Sequence, residues 1–249
     1  MGMSLTCHTV MIESLSLGSV CFKELPSVVQ DQAYHAFADQ RTMFGLHNFW
    51  NVVSNLPFFL VAVFGLKEFR LKEGFTEKWE RVAFAVLLAA IAAVGAGSIY
   101  YHLSPDDSHL FWDRLPMTVV FMTVMACMIS DLLSKPTDYL LWLLLVGFGV
   151  ASVLYWRFSG DLLPYRCVQF GAMVLFPVLL LFPGSRGDTS AMWGLVGFYL
   201  LAKLLEIYDP LIGHYLNTGG HPWKHLSAAV AAWFFVQGAY RRSADSIKV

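Results

Sequence analysis

Two pairs of residues spaced four apart, together with one carboxylate, carry the chemistry this sequence offers. His221 and His225 stand at i, i+4. On a helix that spacing puts both imidazoles on one face, about 6 Å apart, which suits two ligands of one metal ion. Pro222 fits the first turn of a helix, where its missing N–H costs nothing, so His221 is expected at a helix start. Ser98 and His102 have the same spacing and share a face in the same way. With His102 as a third ligand, three nitrogens and one open position describe a catalytic zinc rather than a structural one. Water at that position would ionise near pH ~7. Asp113 follows closely enough to accept its proton and pass it to a leaving group. Ser98 is placed to donate a hydrogen bond to a carbonyl oxygen as it gains charge.

Each residue also has a plainer reading. A lone membrane histidine more often joins two helices by a hydrogen bond than it binds a metal. Ser98 follows Gly95, Ala96 and Gly97 and could simply be a small packing residue. Asp113 could cap a helix or pair with Arg114. Asp106, Asp107 and His109 read as solvated loop residues. His8 and His35 lie in or next to a leader with little signal, and His47 and His214 suit local contacts near an interface. Lys203 and Glu206, at i, i+3, are spaced to neutralise each other. Four cysteines are present, Cys7, Cys21, Cys127 and Cys167. None forms a CxxC pair, so no structural zinc site is implied. Cys127 and Cys167 are expected in the core, while Cys7 and Cys21 could pair only in an oxidising compartment.

The elements that must position these groups are membrane helices. The 249 residues are 57% hydrophobic and only 14% charged, against about a quarter charged in soluble domains. Mean hydropathy is +0.55. A net charge of -1 and the lack of a basic block exclude nucleic-acid binding as a reading. Seven stretches approach the ~20 apolar residues needed to cross a bilayer. They are 46–66, 82–101, 115–132, 139–156, 163–182, 191–208 and 221–240. The expected fold is an all-α, polytopic, seven-transmembrane-helix bundle, with a flexible leader at 1–33, the membrane domain at 34–240 and a tail at 241–249. The short loop from Lys67 to Arg81, with Lys135, Arg186, Arg241, Arg242 and Lys248, outweighs Lys23, Arg41, Arg114, Arg157, Arg166 and Lys224 on the other side. The N-terminus is therefore expected outside and the C-terminus in the cytoplasm. On that count Ser98, His102, Asp113, His221 and His225 all fall at the outer leaflet. One helix more or fewer between Asp113 and His221 would separate them.

The chain resembles the alkaline ceramidase family and its wider group of seven-helix membrane hydrolases, which includes adiponectin-receptor-like and GPI-lipid-remodelling proteins. Ser98-x-x-x-His102, Asp113 and His221-x-x-x-His225 carry the resemblance to the group. Asn51-x-x-Ser54-Asn55, inside Asn48–Asn55, supports the ceramidase branch. The resemblance implies zinc (Zn2+) held by His102, His221 and His225, with Asp113 as proton carrier and Ser98 beside the scissile carbonyl. It further implies a membrane lipid substrate, ceramide or a ceramide-like amide, cut to a sphingoid base and a fatty acid. The family's acidic calcium site before the first helix is not matched. Only Asp39 offers a carboxylate there, and Asn48 stands where the family has glutamate, so calcium is not expected. The short loops resemble a bacterial relative, which implies an inner membrane, with the ER or Golgi as the eukaryotic equivalent. Competing readings are a receptor-like bundle with structural zinc, an ester-cleaving lipid hydrolase, and a transporter. The last would need acidic residues at mid-membrane, which these helices lack.

Overall fold

The computed structural model describes residues 26–71, 77–133, 139–182 and 189–246, with the side chains at 70, 71, 133 and 241–246 outside that description. Cys7, Cys21, His8, Lys23, Lys72, Lys135, Arg186 and Lys248 therefore lie outside the described residues, as do the side chains of Arg70, Arg241 and Arg242. Among the described residues a short 3-10 turn, Gln32–His35, precedes α1 (Phe49–Val53), α2 (Leu56–Leu71), α3 (Lys78–Leu103) and α4 (Asp107–Leu133). There follow α5 (Tyr139–Ser159), α6 (Leu163–Leu180), α7 (Ser190–Ile207), α8 (Asp209–Tyr215) and α9 (His221–Ser246). Among the described residues six segments are long and apolar enough to cross a membrane, the first being Phe49–Phe69, built from α1 and α2. The chain is an all-α polytopic membrane protein. The seventh expected crossing, α9, has the length at 26 residues but is not among those six.

Two boundaries differ from expectation for identifiable reasons. The first helix is broken at Ser54 and Asn55. Pro57 has no N–H to return to the Val53 carbonyl, so the chain turns and restarts as α2. The expected loop before the third span is mostly helix, because Asp106 Oδ1 accepts the His109 backbone N–H at 2.8 Å and opens α4 a full two turns early. Asp107 and His109 are thus helical, and Asp113 lies inside α4 rather than at its cap.

Packing closes a ring. α2 touches α3, α3 touches α4, α4 touches α6, α6 touches α7, α7 touches α9, and α9 returns to α2, while α5 lies outside against α4 and α6. Leu140, Leu143, Leu144 and Phe148 form an exposed apolar stripe on α5, as a lipid-facing helix requires. Cys127 is buried but Cys167, expected in the core, is exposed on α6. The tightest crossing lies where the site begins. A Cβ on Gly97 would run into the Trp112 carbonyl, the one that Pro116, inside α4, cannot engage for want of an N–H. That approach brings Ser98 and His102 of α3 beside Asp113 of α4.

Candidate active site

His102 ends α3, and His221 and His225 open α9 on neighbouring faces of the ring. Their ligand nitrogens all lie within 4.8 Å of one another, and the Nε2 atoms of His102 and His225 are 3.2 Å apart. All three are buried. Phe37 covers them, with ring centroids 4.6 Å from His102 and 4.5 Å from His221. The expected meeting of two distant stretches at one end of the bundle is what the structure contains.

Neighbouring groups orient the imidazoles. Ser54 Oγ lies 2.8 Å from His225 Nδ1 while donating to the Asn51 carbonyl. It can therefore accept the Nδ1 proton and leave Nε2 with its lone pair towards the other histidines. The Asn55 amide nitrogen stands 3.3 Å from the same Nδ1. Asn48 donates to the His102 carbonyl at 2.9 Å, holding the end of α3. Asp209 holds the start of α9. Its Oδ1 accepts from the Gly220 and His221 backbone N–H groups at 2.7 and 2.8 Å, and its Oδ2 from Ala38 at 2.9 Å. Gly219, at φ 67, supplies the left-handed turn that lets the chain fold back onto this carboxylate.

This donor set fits zinc. Three buried imidazoles converge, His102 Nδ1 has no other partner, and neutral nitrogen ligands are what a borderline-soft divalent ion takes. Lys224 Nζ lies 3.4 Å from His221 Nε2, but Glu206 holds that ammonium more closely, at 2.7 Å.

Ser98 stands beside the Asp113 carboxylate, and both residues are buried. Asp113 separates two cavities. On one side, with Ser98, Asn55, Lys224 and His225, is a slot of about 100 Å³ whose remaining walls are mostly apolar, among them Phe58, Ile91, Met117 and Val120. On the other is a polar cavity of about 540 Å³ that also meets Lys203, Glu206, Lys224, Arg114 and Tyr34. Glu206 pairs with both Lys203 and Lys224 and accepts from the Tyr34 hydroxyl at 2.8 Å. Burial first, and then the nearby Glu206 charge, raise the Tyr34 phenol well above its ordinary value, so it stays a neutral donor.

The remaining expectations resolve as follows. Arg114 does not pair with Asp113; it donates to Gln30 Oε1 at 2.7 Å. Lys203 and Glu206 do pair, with Lys224 as a third member. Asp39 Oδ1 accepts from Arg41 Nε at 2.6 Å, so this carboxylate already has a cation. His35, given little weight in sequence, bridges the Tyr101 hydroxyl at 2.8 Å and Asp107 at 3.1 Å. His47 and His214 make local contacts, with Thr42 and Tyr215. Asp209 escaped sequence reading. Its only mark was an Asp-Pro pair, the signal of a short helix start rather than of a partner for His221.

A model of the Ceramidase family matches residues 46–202. Among curated proteins, mouse alkaline ceramidase 3 is 24% identical over 209 residues, covering 76% of this chain and 74% of that protein. The family match includes Ser98, His102 and Asp113 but ends before His221 and His225, which join the site through the packing of α9.

Proposed function

This chain belongs to the ceramidase family, and from that premise we propose that it is a zinc-dependent hydrolase cleaving the amide of ceramide or a ceramide-like membrane lipid. The observation that carries this reading is the three-histidine cluster beside Ser98 and Asp113, which with His225 line a largely apolar slot. His102, His221 and His225 would hold the ion. When bound, zinc supplies Lewis acidity, acidifying water and polarising a carbonyl.

The chain's own groups do the rest. Asp113 takes a proton from the attacking water and delivers it to the departing amine, so that the sphingoid base leaves neutral. Ser98 donates to the carbonyl oxygen as charge grows there. The slot takes acyl methylenes, and the Phe37 lid with the buried walls keeps bulk water away. Calcium has no part in this reading, because Arg41 already neutralises Asp39. The short loops and the balance of Lys and Arg favour a bacterial inner membrane, with the site at the outer leaflet.

The test is His221→Ala in purified protein. Metal content, measured by elemental analysis, should fall from one zinc towards none, and ceramide hydrolysis should drop to background while helicity is kept. Full amidase activity in a verified zinc-free variant would refute the reading.

A further inference from the structure

The polar cavity holds a charge imbalance that the chemistry above does not use. Arg114 is only 5% exposed. Its guanidinium lies 4.5 Å from the Trp156 ring centroid, 4.8 Å from Tyr165 and 5.6 Å from Tyr34. Nη2 donates to the neutral Gln30, and Nη1 has no partner. Among the described residues no carboxylate forms an ion pair with it. The buried neighbours do not make up the deficit. Lys203 and Lys224 share the single carboxylate of Glu206, and Asp113 forms no ion pair with either lysine or with Arg114. With the exposed Arg166 and Asp31 at its rim, four cations therefore face three carboxylates around one cavity. A buried cation without a counter-charge is costly, and a guanidinium with a free edge matches a carboxylate, phosphate or sulfonate in shape.

We propose that this cavity receives the anionic head group of an N-acyl lipid, with the Arg114 guanidinium as its anchor. The proposal rests on the amidase reading only for where the lipid's amide lies. Asp113 and Lys224 line both cavities, so a lipid whose amide reaches Ser98 and Asp113 has its acyl chain in the slot and its head beside Arg114. Neutral ceramide leaves the imbalance in place, whereas one negative charge near the amide removes it.

The test uses the full-length protein in detergent micelles and two pairs of lipids matched in chain length. N-lauroylglycine and N-lauroylethanolamine differ in a terminal carboxylate against a hydroxyl. Ceramide 1-phosphate and ceramide differ in a phosphate. Binding is read by equilibrium titration and hydrolysis as kcat/KM. At least one anionic member is expected to bind about tenfold or more tightly than its neutral partner, and which pair responds separates carboxylate from phosphate recognition. Arg114→Gln should collapse that ratio, and Arg114→Lys should restore part of it. Equal binding within both pairs overturns the proposal, as does a ratio that survives in Arg114→Gln. Should Arg114→Gln fail to fold, the wild-type ratios together with Arg114→Lys decide the matter. Hydrolysis of neutral ceramide without any anion preference would sink this proposal and leave the amidase reading standing. Anion preference without hydrolysis of any amide would do the reverse.

Discussion

The two cavities that meet at Asp113 are built on opposite principles. The slot is small and mostly apolar apart from the groups that would touch the amide. It selects by shape and discriminates weakly, since one methylene more or less in such a pocket shifts preference by about 10–200-fold. The second cavity is roughly five times larger on these volumes, about 540 Å³ against 100 Å³, and charged side chains stand among its walls. A wall of that kind rejects the wrong ligand harder, because a mismatched lipid leaves buried charges unpaired. Between them stands a shared wall, Asp113 and Lys224, with Ser98 beside the first and Glu206 paired to the second. On the proposed reading, recognition and bond cleavage are divided between chambers, with one carboxylate common to both.

The harshest way to break that division is to alter the shared wall. Asp113→Asn keeps the shape and removes the proton acceptor. The rate should fall by about 10²–10⁴-fold on neutral and anionic lipids alike, with metal content unchanged. A loss confined to one lipid class would show that the two cavities do not share a reactive wall.

A second variant acts on the histidine side alone. Asp209→Ala frees two backbone N–H groups at the start of α9, including that of His221. Metal affinity should weaken by about 10–100-fold, as for other groups that orient metal ligands. Excess zinc should restore the rate, and the ratio between anionic and neutral lipids should not move. A changed ratio at saturating zinc would mean that Asp209 shapes the head-group cavity too.

What sequence disclosed of this arrangement was whatever obeys a helical repeat. Ser98 with His102 and His221 with His225 are visible because i, i+4 spacing is a local property, and their meeting follows from counting crossings. Asp209 was hidden because it acts on backbone N–H groups, which any residue supplies. The partner of Arg114 was not legible, because proximity in sequence offers only Asp113 as an alternative. On α4 adjacent side chains point about 100° apart, so Arg114 turns to Gln30 and three aromatic rings while Asp113 turns to Ser98. The early start of α4 was missed for a related reason. Asp106 and His109 look like solvated polar residues until one binds the other's N–H. The break between α1 and α2 was signalled by Pro57, but its purpose, freeing Ser54 and Asn55 to face His225, needs the third dimension.

The smallest expected effect lies at the edge of the polar cavity, and it is a matter of pH. Asp161, in the turn before α6, accepts the backbone N–H groups of Leu163 at 3.0 Å and of Val28 at 2.9 Å. These bonds, that to Leu163 first, hold its carboxylate below the usual range. Since the folded state lowers this pKa, the contribution is fully present above the unfolded value of about 3.9 and is lost as pH falls through the folded one. Val28 leads directly to Gln30, which holds Arg114. Hydrogen exchange at the Val28 amide should therefore be steady from about pH 8 to 5, after allowance for the intrinsic rate, and rise only below about pH 4. Asp161→Ala should raise it throughout that range. The effect should stay local, because the Leu162 N–H still reaches the Val28 carbonyl at 2.7 Å. A few-fold drop in anion preference with unchanged zinc content would place this strap in the recognition half of the molecule. A loss of zinc would place it in the other.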